Sequence, residues 1–204
     1  MLSIRILLAN HQPIIRSGLR LLLEREPDFR IVAEAANGRE AVVLTDFKHP
    51  EVVILDVKLP YLNGIGVARE ISSKEGSPKS IFVTTDTDES YVFEAFKAGA
   101  RGYVAADSAP ADLARAIHVV VGGHLFLSPT ICIRCLDGHV STRDLPEYQK
   151  QLWCLLAAGY SQTEIATQLN VDVNKLEIDC KTIHNTVHCD ALQNSIANSV
   201  FSVK

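Results

Sequence analysis

Short apolar runs alternate with amphipathic runs along the first 122 residues of the chain. The apolar runs are rich in Val and Ile and are apolar at successive positions, which is typical of parallel strands covered on both faces. They predict five strands, at Ser3–Leu8, Arg30–Ala35, Glu51–Leu55, Ser80–Thr84 and Gly102–Ala105. The amphipathic runs predict five helices, at Pro13–Arg25, Gly38–Phe47, Gly64–Ser72, Glu89–Ala98 and Ala109–Val121.

This alternation predicts a doubly wound α/β domain, because right-handed connections place the helices on both faces of a parallel sheet. The first helix shows the pattern, since its apolar positions fall on one face and its charged positions on the other. The apolar positions are Ile14, Ile15, Leu19, Leu22 and Leu23. We expect this face to pack on the sheet.

Residues 123–144 break the alternation of strands and helices. Gly122-Gly123, Pro129 and the polar stretch from Asp137 to Asp144 are typical of a connector. A short helix near Thr130–Leu136 is the only regular element that we expect there. The segment therefore predicts a linker between two domains.

From Leu145 onward the chain carries only helical patterns. They predict helices at Leu145–Ala158 and Gln162–Leu169, a third after the capping residue Asp172, and a last one at Ala191–Val200. Ser161 and Glu164 have the spacing of a capping box at the start of the second of these helices. Helix, short turn and helix in a compact four-helix module is the helix-turn-helix pattern.

The composition narrows the class of protein. Of the 204 residues, 47% are hydrophobic and 22% are charged, which excludes a disordered chain. No apolar run reaches the ~20 residues that a membrane helix needs, and no signal peptide is evident, so we expect a cytoplasmic protein without a membrane partner. The net charge of −4 gives no indication of a nucleic-acid partner, which usually meets a basic patch.

Motifs along nearly the whole chain resemble those of one known family. They are Ile4–Ala9, Glu34–Ala41, Val53–Gly64, Ala98–Tyr103 and Leu155–Leu169. In these segments the chain resembles two-component response regulators of the NarL/LuxR (FixJ) type. The resemblance implies a flavodoxin-like (βα)5 receiver domain at 1–122, a linker at 123–144 and a LuxR-type helix-turn-helix domain at 145–204.

The resemblance also implies a pocket at the carboxyl edge of the receiver sheet. Asp56 matches the aspartate that takes a phosphoryl group from a partner histidine kinase in this family. Thr84 matches the hydroxyl residue that follows the phosphate, and Tyr103 matches the aromatic residue that commonly reorients with it. The implied role is regulatory and involves no enzymatic turnover.

The rest of the pocket departs from the family pattern. Asn10 and His11 stand where the family has an acidic pair that holds Mg²⁺, and Ala106 stands where it has a lysine. An amide and an imidazole do not supply the negative charge that draws Mg²⁺ from water. We therefore expect no Mg²⁺ site, no cofactor and poor phosphorylation, with Asp56 hydrogen-bonded to Thr84 or His11 as a vestigial acid.

The helix-turn-helix domain is acidic for a DNA-binding module. Residues 145–204 hold four lysines against six acidic residues, with no arginine. Each phosphate contact that is lost weakens the salt-dependent part of DNA affinity. The exposed residues of the third helix that we expect to contact DNA are Asn174, Lys175, Ile178, Lys181 and Thr182.

Three functions are consistent with these observations. The leading one is a transcriptional regulator that binds DNA as a dimer and acts without conventional aspartate phosphorylation. The second is an interaction protein or antagonist that forms a heterodimer with another regulator and does not bind DNA. The third is a metal or redox sensor. Its candidate ligands are Cys132, Cys135 and His139, or Cys180, His184, His188 and Cys189.

Overall fold

A computed structural model describes residues 3–73, 76–84, 89–106, 110–132, 146–176 and 178–179. The strands are β1 (Ile4–Ala9), β2 (Phe29–Ala35), β3 (Val52–Leu55), β4 (Lys79–Thr84), β5 (Gly102–Ala105) and β6 (Phe126–Leu127). The helices are α1 (Pro13–Leu23), α2 (Gly38–Lys48), α3 (Gly64–Ser72), α4 (Glu89–Lys97), α5 (Pro110–Val121), α6 (Glu147–Ala157) and α7 (Gln162–Leu169). No described helix is both long enough and apolar enough to cross a bilayer.

Strands β1 to β5 form one sheet in the order β2-β1-β3-β4-β5. Strands β1 to β5 pair in parallel, as their apolar runs predict. The chain moves from β1 to β2 in one direction across the sheet, and from β2 through β3 and β4 to β5 in the opposite direction. Right-handed connections therefore place α1 on one face and α2, α3 and α4 on the other. The doubly wound α/β architecture predicted from the sequence is therefore confirmed.

Strand β2 lies at one edge of this sheet and carries an irregularity. Ile6 pairs with Ile31, but the next residue of β1, Leu7, pairs with Ala33. Val32 is therefore an extra residue on β2, which is the arrangement of a β-bulge.

The core of the first unit lies in the central strands. Leu7, Ile54, Leu55 and Phe82 are fully buried. Both α2 and α3 are preceded by a capping asparagine whose side chain accepts a hydrogen bond from the first turn: Asn37 from Glu40 N at 2.9 Å, and Asn63 from Gly66 N at 2.8 Å. These caps satisfy backbone donors that a helix start leaves open, and so fix where each helix leaves the sheet.

Helix α1 differs from its sequence-based prediction. Of the predicted apolar face, Ile14 is 85% exposed and Ile15 is 37% exposed, and Leu23 is the one buried residue of the helix. The apolar face predicted for α1 is thus only partly covered, because α1 packs on β1 and the edge strand β2.

The chain divides into two compact units, Met1–Gly123 and His124–Lys204. In the second unit β6 and a helical turn at 129–132 fall inside the segment predicted as a linker. Helix α7 begins with the predicted capping box: Ser161 Oγ accepts from Glu164 N, and Glu164 Oε2 accepts from Ser161 N. Residues 173–176 and 178–179 are helical and form what we call the third helix. The predicted helix at Ala191–Val200 lies outside the described residues.

Candidate functional site

Asn10 follows β1 and is buried. Its side-chain Oδ1 accepts a hydrogen bond from Gln12 N at 2.8 Å, and its backbone N–H donates to the carbonyl of Ala35 at 3.1 Å. Arg16 Nη1 donates to the backbone carbonyl of Asn10 at 2.7 Å. The loop after β1 is therefore held by β2 and by α1, and the Asn10 amide oxygen is used within its own loop.

The guanidinium of Arg16 has a charged partner next to this loop. Its Nε lies 3.1 Å from Glu34 Oε2, and Glu34 also accepts a hydrogen bond from Arg20 Nη1 at 2.6 Å. The carboxylates of Glu34 and Glu24 raise the pKa of Arg20 above its ordinary value. Both arginines are thus paired with carboxylates beside the pocket.

Asp56 follows β3, which lies next to β1 in the sheet. Its Oδ2 lies 3.2 Å from His11 Nδ1, and its Oδ1 accepts from the backbone N–H of Lys58 at 3.2 Å. The Asp56 side chain is 10% exposed, whereas that of His11 is 36% exposed. Each carboxylate oxygen of Asp56 therefore has a contact. The hydrogen bond to His11 is one of the two expected from the sequence.

The Asp56–His11 contact lies between the carboxyl ends of the neighbouring strands β1 and β3. Connections leave β1 and β3 on opposite faces, and ligands of open α/β sheets bind in the crevice that this creates at the carboxyl ends of the strands. The contact therefore lies at the position in the fold where open α/β sheets bind their ligands.

The next two strands carry the other predicted pocket residues, with Thr84 on β4, Tyr103 on β5 and Ala106 just after β5. Thr84 ends β4, is buried, and its carbonyl accepts from Ala106 N at 2.8 Å. Tyr103 is fully buried in β5 and stacks on Phe82, with ring centroids 5.8 Å apart and planes at 19°. Ala106 is exposed just after β5 and contributes a methyl group to this edge.

A cavity of about 480 Å³ opens at the opposite, amino edge of the sheet. Charged and imidazole side chains line it, among them Asp46, His49, Glu51 and Lys79. Nothing in the spacing of these residues along the chain predicts that they share a cavity. Space for a small molecule in the first unit therefore exists away from Asp56.

The predicted DNA contacts in the second unit are partly described. Asn174, Lys175 and Ile178 lie on the exposed part of the third helix, whereas Lys181 and Thr182 lie outside the described residues. Sequence reasoning missed Tyr148, whose hydroxyl donates to Asp179 Oδ2 at 2.8 Å. The contact joins residues 31 positions apart, so no local pattern signals it.

The sensor candidates are described only in part. Cys132 is buried, as is Cys154. The other residues proposed as metal or redox ligands lie outside the described part of the chain: Cys135, His139, Cys180, His184, His188 and Cys189.

Comparisons with known proteins agree with this fold. The family model for the response regulator receiver domain matches residues 6–118. The nitrate/nitrite response regulator protein NarL of Escherichia coli is 28% identical over 184 residues, which are 86% of this chain and 85% of that protein. The transcriptional regulatory protein UhpA of Escherichia coli is 30% identical over 181 residues, which are 89% of this chain and 86% of that protein.

A solved structure is also similar. It is the crystal structure of a two-component response regulator of the LuxR family from Aurantimonas sp. SI85-9A1, which is 36% identical with a TM-score of 0.64. The match covers 67% of this chain and 97% of that chain. With a parallel receiver sheet, an aspartate at the end of β3 and these relatives, the chain belongs to the NarL/LuxR family of response regulators.

Proposed function

We propose that this chain is a transcriptional regulator that binds DNA through its helix-turn-helix domain and is controlled without conventional phosphorylation of Asp56. The observation that carries the second part is the hydrogen bond between His11 Nδ1 and Asp56 Oδ2. In this arrangement an imidazole, rather than a metal-binding carboxylate, faces the phosphoacceptor-equivalent residue. Control would come from dimerisation, a partner protein or a small ligand.

The donor set of the pocket does not match Mg²⁺. Mg²⁺ demands oxygen ligands in a near-octahedral arrangement and gives up its water reluctantly. The residues present offer the carboxylate of Asp56, the imidazole of His11 and the amide of Asn10, whose oxygen accepts from Gln12 N. We therefore derive no phosphoryl-transfer step through a metal at this site.

The charge balance also disfavours phosphorylation. A transferring phosphoryl group is stabilised by fixed cations, and losing one such group typically costs ~10²–10³ in rate. Ala106 supplies no cation, and the guanidinium of Arg16 is paired with Glu34. Neither residue therefore supplies the free positive charge that would stabilise a phosphoryl group arriving at Asp56.

A phosphodonor assay tests this part of the proposal. The purified protein is incubated with acetyl phosphate and Mg²⁺, and the mass gain of the intact chain is followed with time. The matched comparison is the triple variant Asn10→Asp, His11→Asp, Ala106→Lys, which rebuilds the family pattern, and Asp56→Asn is the blank.

We expect the triple variant to label at least about 100-fold faster than the wild type, which is the lower end of the cost of one lost stabilising group. The proposal would be overturned if the labelling rate of the wild type were within about tenfold of that of the triple variant and labelling were lost in Asp56→Asn.

DNA binding is supported by the architecture of the second unit. The match to UhpA, a transcriptional regulatory protein, covers 89% of this chain and so extends beyond the receiver domain. The capping box at Ser161 and Glu164 fixes the start of α7, the first helix of the helix-turn-helix. The third helix then begins at Asp172, whose Oδ1 accepts from Asn174 N at 2.8 Å.

A titration of fluorescent duplex DNA tests this part. Non-specific binding of DNA-binding domains has Kd values of ~10⁻⁴–10⁻⁶ M at physiological salt, and binding tightens as salt is lowered. We expect binding at 50 mM salt that weakens steadily with added salt. If no salt-sensitive binding occurs at ~100 μM protein, the DNA-binding assignment is wrong.

An interaction protein that pairs with another regulator is the second candidate. It is favoured by the charge of residues 145–204, which hold four lysines against six acidic residues. The titration separates the two candidates, since only the regulator binds DNA by itself.

A further inference from the structure

The third helix presents two different faces. Residues four positions apart lie on the same side of a helix, so Lys175 and Asp179 share one face and Asn174 and Ile178 share another. The mean directions of these two pairs differ by about 100° around the helix axis. The two faces therefore meet different surroundings.

The face with Lys175 and Asp179 contacts Tyr148, the second residue of α6. Tyr148 Oη donates to Asp179 Oδ2 at 2.8 Å, and Lys175 Nζ lies 5.8 Å from the centroid of the Tyr148 ring. An ammonium group within about 6 Å of an aromatic ring is attracted to it. One tyrosine thus engages both charged residues and holds the third helix on α6.

The neighbouring face is open. Ile178 is 65% exposed, and Asn174 is exposed in the first turn of the helix. The amino-terminal residues of a recognition helix are those that contact base edges in the major groove. In the described part of this helix, Asn174 and Ile178 therefore supply the polar and alkyl groups of this face, while the exposed Val173 and Lys175 lie on other sides of the helix.

We infer that Tyr148 positions the third helix so that Asn174 and Ile178 read the bases, and that the preferred DNA half-site carries an A·T pair. The inference rests on the proposed DNA binding. A side-chain amide pairs bidentately with N6 and N7 of adenine, and an alkyl group contacts the 5-methyl of thymine. Tyr148 also holds the negative charge of Asp179 towards α6, where it opposes the DNA phosphates less.

The first experiment identifies the preferred half-site and then removes a single methyl group from it. Duplexes bound by the wild-type chain are selected from a random pool, and each preferred thymine is replaced by deoxyuridine, which lacks the 5-methyl. Burying one methyl group is worth ~0.8 kcal/mol, so one replacement should weaken wild-type binding roughly fourfold.

Matched variants assign the effect to residues. In Ile178→Ala the same thymine-to-deoxyuridine replacement should change affinity less than twofold. In Asn174→Ala the preference for adenine should fall by roughly fivefold or more, the lower end of what one bidentate contact contributes. Lys175→Met removes the ammonium group beside the Tyr148 ring, so it should weaken binding to all duplexes and also reduce the thymine-to-deoxyuridine effect.

Tyr148→Phe tests the positioning role, since it removes only the hydroxyl. We expect the methyl effect to shrink to less than twofold while the circular dichroism spectrum stays that of the wild type. If the thymine-to-deoxyuridine replacement still weakens binding of Tyr148→Phe by the full fourfold, Tyr148 does not position the helix.

The outcomes separate the two proposals. Salt-sensitive DNA binding without any thymine-to-deoxyuridine effect would overturn this inference and leave the DNA-binding assignment standing. Failure to bind any duplex at low salt would overturn both.

Discussion

Gly64 begins α3 directly beside Asp56, and a methyl group at this position has no room. A Cβ added to Gly64 would lie 2.2 Å from the backbone oxygen of Asp56 and 3.0 Å from Phe82 Cε1. The Gly64 N–H also donates to the carbonyl of Val57 at 3.0 Å, which holds the start of α3 against the end of β3. A backbone carbonyl does not rotate away as a side chain does, so Gly64→Ala must shift α3 or the strand end.

The expected size of this effect follows from the packing. Overpacking a well-packed core costs about 1–3 kcal/mol and occasionally more. Because the clash is with backbone, we expect the upper part of that range, about 2–3 kcal/mol, for Gly64→Ala. For a chain of this size each 1 kcal/mol lowers the melting temperature by ~2–4 °C, so the expected loss is roughly 4–12 °C.

Gly18→Ala is the matched control. Gly18 lies within α1, and no atom lies within 4 Å of a Cβ added there. Alanine exceeds glycine in helix propensity by about 0.8–1.0 kcal/mol, so this variant should melt roughly 2–4 °C above the wild type.

Thermal unfolding followed by circular dichroism, with urea unfolding as a second measure, compares the two variants. The reasoning is refuted if Gly64→Ala melts within 1 °C of the wild type, or if both variants lose the same stability.

Three further predictions concern stability and are checked by the same unfolding measurements. Leu23→Ala should cost about 2–5 kcal/mol because Leu23 is buried, whereas Leu21→Ala in the same helix should change stability by less than ~0.5 kcal/mol because Leu21 is 65% exposed. Equal losses of stability in the two variants would contradict the difference in burial between Leu23 and Leu21. Ser161→Ala should cost about 1 kcal/mol, since it removes the side-chain cap of α7, and no loss would mean that this cap contributes nothing. The Ser80 hydroxyl is buried without a hydrogen-bond partner in the described part of the chain, so Ser80→Ala should be neutral or stabilising. A loss above ~1 kcal/mol would reveal a partner for Ser80.

Local patterns were enough to predict the elements of the first unit. The predicted strand at Gly102–Ala105 and helix at Gly64–Ser72 have the bounds seen in the structure. The strand is indicated by its apolar run and the helix by its helical period. The start of the helix is also indicated by a flanking residue, Asn63. The capping box of α7 was predictable for the same reason, because its two residues are three positions apart.

Burial was harder to predict than secondary structure. The helical period of α1 identifies an apolar side but not how much of it the sheet covers. Ile14 belongs to the predicted face and is nevertheless 85% exposed. Coverage depends on which elements lie beside α1, and that is a property of the tertiary arrangement.

The position of the pocket was predictable, and the sequence narrowed the partner of Asp56 to Thr84 or His11, of which the structure shows His11. Strand ends place Asn10, His11 and Asp56 at one edge of a parallel sheet, so their proximity follows from the topology. Whether His11 contacts Asp56 depends on side-chain orientation, which the topology leaves open. The contact between Tyr148 and Asp179 lies further beyond prediction, since it requires the packing of two helices that no sequence period connects.

The extra residue on β2 affects whether the edge of the sheet can pair with a strand of another molecule. An edge strand offers a row of open N–H and C=O groups on which a strand of another molecule can form a continuing ladder. Val32 interrupts the even spacing of that row, and the exposed charge of Arg30 interrupts it again. A second strand would therefore find only short matching stretches on either side of the bulge. The bulge and the exposed Arg30 therefore disfavour edge-to-edge strand pairing between two molecules.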